Sequence, residues 1–100
     1  MQSGGSVYIM TNVLHSVLYT GVTSDLIKRV QQHKHKFFPA SFTAKYNVTI
    51  LVYYRFYPTI TEAILEEKRI KGGSRKQKME LINSINPNWE DLWDKEVCYW

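Results

Sequence analysis

The chain has 100 residues and a formal net charge of +4, with 44% hydrophobic and 22% charged residues. This length supports one hydrophobic core, so we expect a single domain over residues 1–100 with its core at about 6–93, and the composition excludes disordered and fibrous proteins. The apolar runs are too short to cross a bilayer and Cys98 is the one cysteine, so we expect a cytoplasmic protein with no membrane partner and no internal disulfide.

The first third of the chain predicts a β-hairpin followed by a helix. Val7–Thr11 and Val17–Val22 are rich in β-branched and aromatic residues, and the polar link between them suits a hairpin loop. Thr23–Asp25 offers side-chain oxygens for a helix N-cap. Apolar residues then recur at helical spacing up to about His35, which predicts the first helix.

The remainder predicts one strand and two helices. Phe37–Asn47 is expected to be a loop, and the β-rich run Val48–Tyr57 is expected to be the central strand. Apolar positions after Pro58 predict a helix from about residue 61 to residue 70, which two glycines end. A third helix is predicted over Arg75–Ile85, and the aromatic end, Asn88–Trp100, is predicted to be irregular.

These elements define the expected fold. Their order is β-β-α-β-α-α, without an internal repeat or a linker. We therefore expect an α/β unit in which helices flank a small three-stranded antiparallel sheet.

Two tyrosines and one arginine are the first candidates for chemistry. Tyr8 and Tyr19 lie on the two strands of the predicted hairpin, and Arg29 lies on the helix that follows. Strand tyrosines usually serve packing, but two phenols faced by a guanidinium can also bind and cleave a phosphodiester. His33 follows Arg29 by four residues and therefore shares its helical face, where it could hydrogen-bond a tyrosine or a phosphate.

The ordered set of short motifs resembles the GIY-YIG nuclease domain, in particular its small standalone bacterial members, which are similar to the N-terminal domain of the excision-repair endonuclease subunit. The resemblance spans about Ser6 to Trp93. It rests on these elements: Val7-Tyr8-Ile9, Tyr19-Thr20-Gly21, Arg29 with His33, Glu67, and Asn86-Pro87-Asn88-Trp89. Ser6-Val7 stands in place of Gly-Ile, and Thr20 in place of isoleucine, so the functional side chains are retained.

The resemblance implies a metal-dependent DNA endonuclease. In that reading Tyr8 activates the nucleophile, Tyr19 lies beside it at the scissile phosphate, and Arg29 holds the phosphate. Glu67 is the implied ligand of Mg²⁺ or Mn²⁺, with adjacent Glu66 as the alternative. The implied site residues are Tyr8, Tyr19, Arg29, His33, Glu67 and Asn86, with Asn83 as an alternative to Asn86.

The basic charge favours a polyanionic partner, and the densest positive segment follows Glu67. The predicted nucleic-acid-binding residues are Lys28, Lys34, Lys68, Lys71, Arg75, Lys76 and Lys78. Solvated lysines without a ligand are the alternative interpretation. In the loop, Phe37, Phe38 and Phe42 either stack on unpaired bases or are buried.

The biological role stays open at this point. The expected partner is DNA, with branched and single-stranded forms both considered, in repair or recombination. One alternative is a nucleic-acid-binding module of the same fold that does not cleave. Another is an interaction protein that forms a homodimer through its aromatic C-terminus, with Trp89, Trp93, Tyr99 and Trp100 otherwise packing on the fold.

Overall fold

A three-stranded antiparallel sheet forms the centre of the computed structural model, which describes residues 4–100. The strands are β1 (Gly5–Thr11), β2 (Leu18–Thr23) and β3 (Ile50–Tyr57), in the spatial order β2-β1-β3. Tyr8 on β1 lies opposite Gly21 on β2 and Tyr54 on β3. The prediction of a small antiparallel sheet in an α/β fold is confirmed.

The position of β3 corrects one expectation. Its long apolar run predicted the central strand, but β1 is central and β3 lies at the edge. The burial pattern gives the reason, because all seven residues of β1 are buried while Arg55 and Phe56 near the end of β3 are exposed. Only the first half of β3 is covered on both faces, so a continuous apolar run did not determine strand order.

Helices flank the sheet, and side-chain caps start them. They are α1 (Leu26–Lys34), α2 (Phe42–Lys45), α3 (Ile60–Lys71), α4 (Arg75–Ile85), α5 (Leu92–Lys95) and a final 3₁₀ turn (Val97–Tyr99). Asp25 caps α1, and Thr59 and Ser74 form capping boxes at α3 and α4. Within residues 4–100, no helix has the length and apolar character needed to span a membrane.

Two short helices were missed in the sequence. The predicted loop Phe37–Asn47 contains α2, because the Ser41 hydroxyl accepts a hydrogen bond from the Ala44 N–H. The predicted irregular end contains α5, which Asp91 caps by accepting from the Trp93 N–H. Each helix has four residues, which is too short for an apolar period to show.

Alternate residues of β1 face two separate hydrophobic clusters. Tyr8 and Met10 point to the side covered by α1, which we call the α1 face. Val7 and Ile9 point to the opposite side, the α3 face. The members of the α1 face include Leu26, Val30, Val48, Leu51, Leu92 and Val97. Those of the α3 face include Val52, Tyr53, Ala63, Ile70 and Ile82.

Candidate active site

Tyr8 is held on the α1 face by the residue opposite it in the sheet. Its side chain is 1% exposed and crosses directly over Gly21. A Cβ at position 21 would lie 2.4 Å from both the Tyr8 hydroxyl oxygen and its ring carbon Cζ. Glycine is therefore required at position 21 to leave room for the phenol, a role that the sequence analysis did not assign to it.

Tyr19 lies beside Tyr8, so the structure brings the two motif tyrosines together. Their ring centroids are 6.3 Å apart with a 44° angle between the planes. Tyr19 also meets the His33 ring edge-on, with centroids 5.5 Å apart. Because Tyr19 is only half-buried while Tyr8 is fully covered, the two phenols occupy distinct environments at one site.

A buried hydrogen-bond chain starts at the Tyr8 hydroxyl. Its oxygen lies 2.9 Å from His33 Nε2, and His33 Nδ1 lies 3.0 Å from the Thr43 hydroxyl. The Thr43 hydroxyl lies 3.2 Å from that of Ser41. His33 and Thr43 are each 4% exposed. Thr43 thus joins the site from α2, an element that the sequence did not reveal.

Burial dominates the acid–base properties of this chain. Burial and then the neighbouring Tyr19 raise the pKa of Tyr8 above its usual range, Arg29 opposes the rise, and Glu67 adds to it. Burial and then the Arg29 cation lower the pKa of His33 to about 4. At neutral pH Tyr8 is therefore a neutral phenol and His33 a neutral imidazole, so one of the His33 nitrogens can accept a proton.

Arg29 lies on α1 at the border between the tyrosines and solvent. Its Nη1 donates to Gln32 Oε1 at 3.0 Å, and its Cζ lies 5.7 Å from the centre of the Phe38 ring. The charge of Arg29 lowers the pKa of both Tyr8 and His33, which places the guanidinium within electrostatic range of the hydrogen-bonded chain. The remaining guanidinium donors can bind phosphate oxygens.

The two glutamates at the middle of α3 have different surroundings. Glu67 is 7% exposed and forms an ion pair with Lys71 at 2.7 Å, and its charge affects Tyr8. Glu66 instead pairs with Arg69, whose hydrogen bond lowers the pKa of the Glu66 carboxyl. Glu67 is accordingly the glutamate of this pair whose charge acts on the motif tyrosine Tyr8.

The two asparagines near the end of α4 have structural contacts. Asn86 Nδ2 donates to the carbonyls of Val52 and Glu90, and its Oδ1 accepts from the Glu90 N–H. Asn83 Oδ1 accepts from the Trp89 indole at 2.7 Å. Within residues 4–100, neither amide hydrogen-bonds Tyr8 or Tyr19, so the placement of Asn86 in the reaction stays a prediction.

Several of the predicted nucleic-acid-binding cations are engaged within the fold. Lys34 donates to the Thr49 carbonyl and pairs with Asp91 at 2.5 Å, so its assignment to the binding surface stays a prediction. The Lys78 ammonium contacts carbonyls at the end of α3, and Arg75 holds two carbonyls of the β1–β2 loop. Lys71 is exposed but pairs with Glu67, and the predicted cations with exposed side chains outside all these contacts are Lys28, Lys68 and Lys76.

The chain matches a known protein family over most of its length. Residues 4–80 match the family described as the GIY-YIG catalytic domain. The chain belongs to the GIY-YIG family. The two motif tyrosines, which stand side by side on β1 and β2, lie within the matched GIY-YIG segment, and so does the buried Glu67. The resemblance noted in the sequence is confirmed.

Several GIY-YIG relatives carry a common name. UPF0213 protein CPE1444 of Clostridium perfringens is 36% identical over 80 residues, which are 80% of this chain and 84% of the relative. A UPF0213 protein of Syntrophus aciditrophicus is 32% identical over 81 residues, covering 81% of this chain and 91% of the relative. The solution NMR structure of UPF0213 protein BH0048 of Bacillus halodurans has a TM-score of 0.56 and 27% identity, covering 92% of this chain and 96% of that one.

GIY-YIG nucleases use divalent metals, and in this site one carboxylate is available to bind such a cation. In residues 4–100, no group of three or more His, Cys, Asp or Glu side chains forms a ligand cluster. The buried Glu67 carboxylate supplies hard oxygen donors, and Mg²⁺ can bind through one carboxylate while retaining several waters. Lys71 shares this carboxylate, so a cation bound there would compete with the ion pair.

Proposed function

We propose that this GIY-YIG domain is a metal-dependent DNA endonuclease that hydrolyses phosphodiester bonds. The observation that carries the proposal is the buried 2.9 Å hydrogen bond between the Tyr8 hydroxyl and His33 Nε2, formed beside Tyr19 and within range of Arg29. The partner of the buried Tyr8 hydroxyl is an imidazole that can accept a proton and whose other nitrogen is held by Thr43. Phosphodiester hydrolysis can use a proton acceptor and a fixed cation together, and the GIY-YIG family match favours this reaction over others.

Proton transfer is the first task of the site. The raised pKa of Tyr8 rules out a standing phenolate at neutral pH, so Tyr8 needs a partner to act as a base. In the tautomer where His33 Nδ1–H donates to Thr43, Nε2 accepts from the Tyr8 hydroxyl. The Tyr8 oxygen then takes a proton from the attacking water while its own proton passes to His33.

Bond making and breaking follow from that transfer. The water oxygen, freed of one proton, forms the new bond to phosphorus, and the bond from phosphorus to the leaving oxygen breaks. The leaving oxygen takes a proton from solvent. His33, whose pKa is about 4, returns its proton to solvent readily, which restores neutral imidazole and phenol.

Charge stabilisation is the second task. Arg29 remains cationic and can form parallel hydrogen bonds to two phosphate oxygens as negative charge develops. Glu67 would hold Mg²⁺ or Mn²⁺, and a bound divalent cation supplies further neutralisation of phosphate charge. Lys71 balances the Glu67 carboxylate, and its pKa is raised chiefly by the hydrogen bond to Glu67.

We also propose a cellular setting for this domain. A nuclease of this family with one cysteine suits action on DNA in the cytoplasm, in repair or recombination. A non-cleaving DNA-binding module is the second candidate, and the raised Tyr8 pKa together with the Lys71–Glu67 ion pair favours it. A homodimer through the C-terminus would use Tyr99, which is 80% exposed, and the open part of Trp100, which is 54% exposed.

The test compares cleavage with binding in the same proteins. End-labelled duplex, single-stranded, flap and branched DNA are incubated with Mg²⁺ or Mn²⁺ and the parent, Tyr8→Phe or Glu67→Gln protein. Tyr99→Phe and Glu80→Gln make the same chemical changes at exposed positions and serve as matched controls. Cleavage by the parent and both controls, lost in both site variants, is expected.

The other outcomes separate the candidates. Equal cleavage by all five proteins would indicate a contaminating nuclease. DNA binding without cleavage, unchanged in Tyr8→Phe and Glu67→Gln, would favour the binding module. Sedimentation of the parent and of a Tyr99→Ser variant tests the dimer.

A further inference from the structure

Four aromatic side chains between α1 and β3 are open to solvent. We call them the aromatic wall: Phe37 is 64% exposed, Phe38 49%, Phe42 49% and Tyr46 52%. Exposing this much aromatic surface within ten residues costs hydration free energy that burial would recover. The sequence left burial and base stacking as alternatives for the phenylalanines, and the structure excludes full burial.

The wall adjoins the proposed catalytic residues. Phe42 lies nearly parallel to Tyr19, with centroids 6.3 Å apart and planes 28° apart. Phe38 lies under the Arg29 guanidinium at 5.7 Å. Phe42 also contacts Tyr46, with centroids 4.7 Å apart, so the aromatic surface runs from Tyr19 outward. A ligand whose phosphate reached Arg29 would have its neighbouring groups beside these rings.

Hydrogen bonds hold the backbone of the wall in place. Thr43, the residue after Phe42, bonds the buried His33, and Ser41 caps α2. The Lys36 ammonium donates to Asn47 Oδ1, and this hydrogen bond joins the two residues that flank the wall. The rings are therefore presented by an anchored segment, which reduces the entropy lost when a ligand stacks on them.

The charge of the domain and the shape of the aromatic wall indicate the class of ligand. The domain carries a net charge of +4, and exposed Lys28 and Lys45 flank the wall, so a polyanion is favoured. Aromatic rings beside cations match the stacking platforms that bind single-stranded nucleic acid, because every unpaired base has a π face. A duplex keeps those faces stacked inside the helix, where side chains of the wall have no access to them.

We propose that the aromatic wall stacks unpaired bases next to the scissile phosphate, so that the substrate is single-stranded DNA or DNA locally unpaired at the cut. The position of the wall next to a scissile phosphate rests on the proposed nuclease function, whereas the stacking itself does not. Phe42 stacks on the base nearest Tyr19, and Phe37 and Phe38 extend the surface past Arg29.

The experiment measures stacking and cleavage separately. Binding of a fluorescein-labelled single-stranded oligonucleotide is followed by anisotropy in EDTA, where metal-dependent cleavage is blocked, and 2-aminopurine in the oligonucleotide reports stacking by quenching. Phe37→Leu and Phe42→Leu keep apolar volume without a π face, and Phe42→Trp restores the face. Tyr99→Leu, at an aromatic residue outside the wall that is 80% exposed, is the control.

We expect each Leu variant to weaken single-strand binding at least about fivefold, since stacking contributes roughly 1–3 kcal/mol per base. Phe42→Trp should retain binding and quenching, and Tyr99→Leu should change neither. An oligonucleotide with abasic sites keeps the phosphates but lacks the bases, so the parent should bind it no better than the Leu variants bind the intact strand. Circular dichroism melting verifies that the variants fold.

Distinct results overturn the two proposals. If the parent cleaves duplex DNA as fast as single strands and the Leu variants bind single strands normally, stacking is wrong while the nuclease stands. If binding depends on the wall but no DNA is cleaved in Mg²⁺ or Mn²⁺, stacking stands and the nuclease is wrong. Concentration-dependent dimerisation that Phe42→Leu abolishes, with single-strand binding unchanged, would assign the wall to a second copy of the chain.

Discussion

Both faces of the sheet carry side chains of β1, but the two faces differ in their chemistry. On the α3 face, Val7 and Ile9 meet an apolar cluster from α3 and α4. On the α1 face, Tyr8 lies one residue away from each of them and enters a hydrogen-bonded chain with buried His33. The twofold alternation of a strand thus separates packing from polar chemistry at the spacing of one residue.

This separation explains how a 100-residue chain accommodates buried polar groups. Burying a phenol and an imidazole is costly unless both are hydrogen-bonded, and on the α1 face each has a partner. The α3 face supplies apolar burial that offsets the cost, and one residue of α3, Glu67, contributes charge to the site. Substitutions on the two faces should therefore affect different measurements.

The largest effect is expected at Arg29. Arg29→Lys retains the charge but loses the planar fork, so cleavage should fall about 100-fold to 1000-fold, as for loss of one preorganised donor. Thermal unfolding should shift little because Arg29 is half-buried at the edge of the site. Initial rates on labelled DNA, measured alongside melting curves, check both statements.

Arg55→Lys provides the matched control, since Arg55 is exposed on β3 and lies over the Tyr57 ring at 5.2 Å. It should leave the cleavage rate within about twofold, because an exposed pair makes little contribution. Equal losses in the two variants would show that Arg29 acts through general charge on the surface, and the distinction between the faces would lose its main functional support.

At His33 the effect to measure is on stability rather than on cleavage, through a dependence of the free energy of unfolding on pH. Its folded pKa of about 4 lies below the value of 6.5 for a free imidazole, so below pH 6.5 the unfolded chain binds a proton that the folded chain excludes. The contribution of neutral, buried His33 to stability is fully present above pH 6.5 and is lost as the pH falls toward 4. Between pH 7 and pH 5 the free energy of unfolding should drop by about 2 kcal/mol.

Urea titrations at several pH values test this, with His33→Gln as the variant that removes the titrating group. Its stability should vary much less between pH 7 and pH 5, whereas His35→Gln, at an exposed position on the same turn, should follow the parent. Parallel curves for all three proteins would mean that His33 is protonated alike in folded and unfolded chains, contrary to its burial.

The starts of two helices could be predicted from the sequence, because local side-chain chemistry determines them. Asp25 and Ser74 are capping side chains, and both helices begin after them. Thr43 had no such signal, since a threonine in a four-residue helix shows no period, and His33, which it contacts, lies ten residues earlier on a different helix. The central place of β1 also depended on pairing between distant segments, which an apolar run does not specify.

Gly21 on β2 lies opposite Tyr8 on β1, and its substitution gives a third test. In Gly21→Ala the new methyl group would lie 2.4 Å from the Tyr8 hydroxyl, so the phenol must move away from His33. A displacement of this size should reduce cleavage about 100-fold and destabilise the fold by about 1–3 kcal/mol. Cleavage rates and denaturant unfolding measure the two consequences.

Gly72→Ala is the control, because a Cβ at position 72 meets its nearest atom at 3.5 Å, an ordinary contact. It should leave cleavage unchanged. If Gly21→Ala retained full activity, the position of the Tyr8 hydroxyl would not matter to the reaction, and the role proposed for the Tyr8–His33 hydrogen bond would fail.

The smallest effect concerns Thr20, a buried polar residue of β2 on the α3 face. Thr20 lies opposite Ile9 and is 4% exposed, and among residues 4–100 its Oγ1 is the buried side-chain polar atom without a hydrogen-bond partner. Thr20→Val replaces that hydroxyl by a methyl group of similar size. Removing an unsatisfied buried hydroxyl should raise the free energy of unfolding by about 1 kcal/mol.

Thr11→Val is the contrasting variant, because the Thr11 hydroxyl donates to the Val17 carbonyl at 2.7 Å and its loss should destabilise the protein by about 1 kcal/mol. Opposite signs for the two threonines, with cleavage unchanged in Thr20→Val, would confirm that the α3 face serves stability. A destabilised Thr20→Val would imply a partner for the Thr20 hydroxyl in solution. In that case the polar chemistry of the domain would extend through the sheet to both faces.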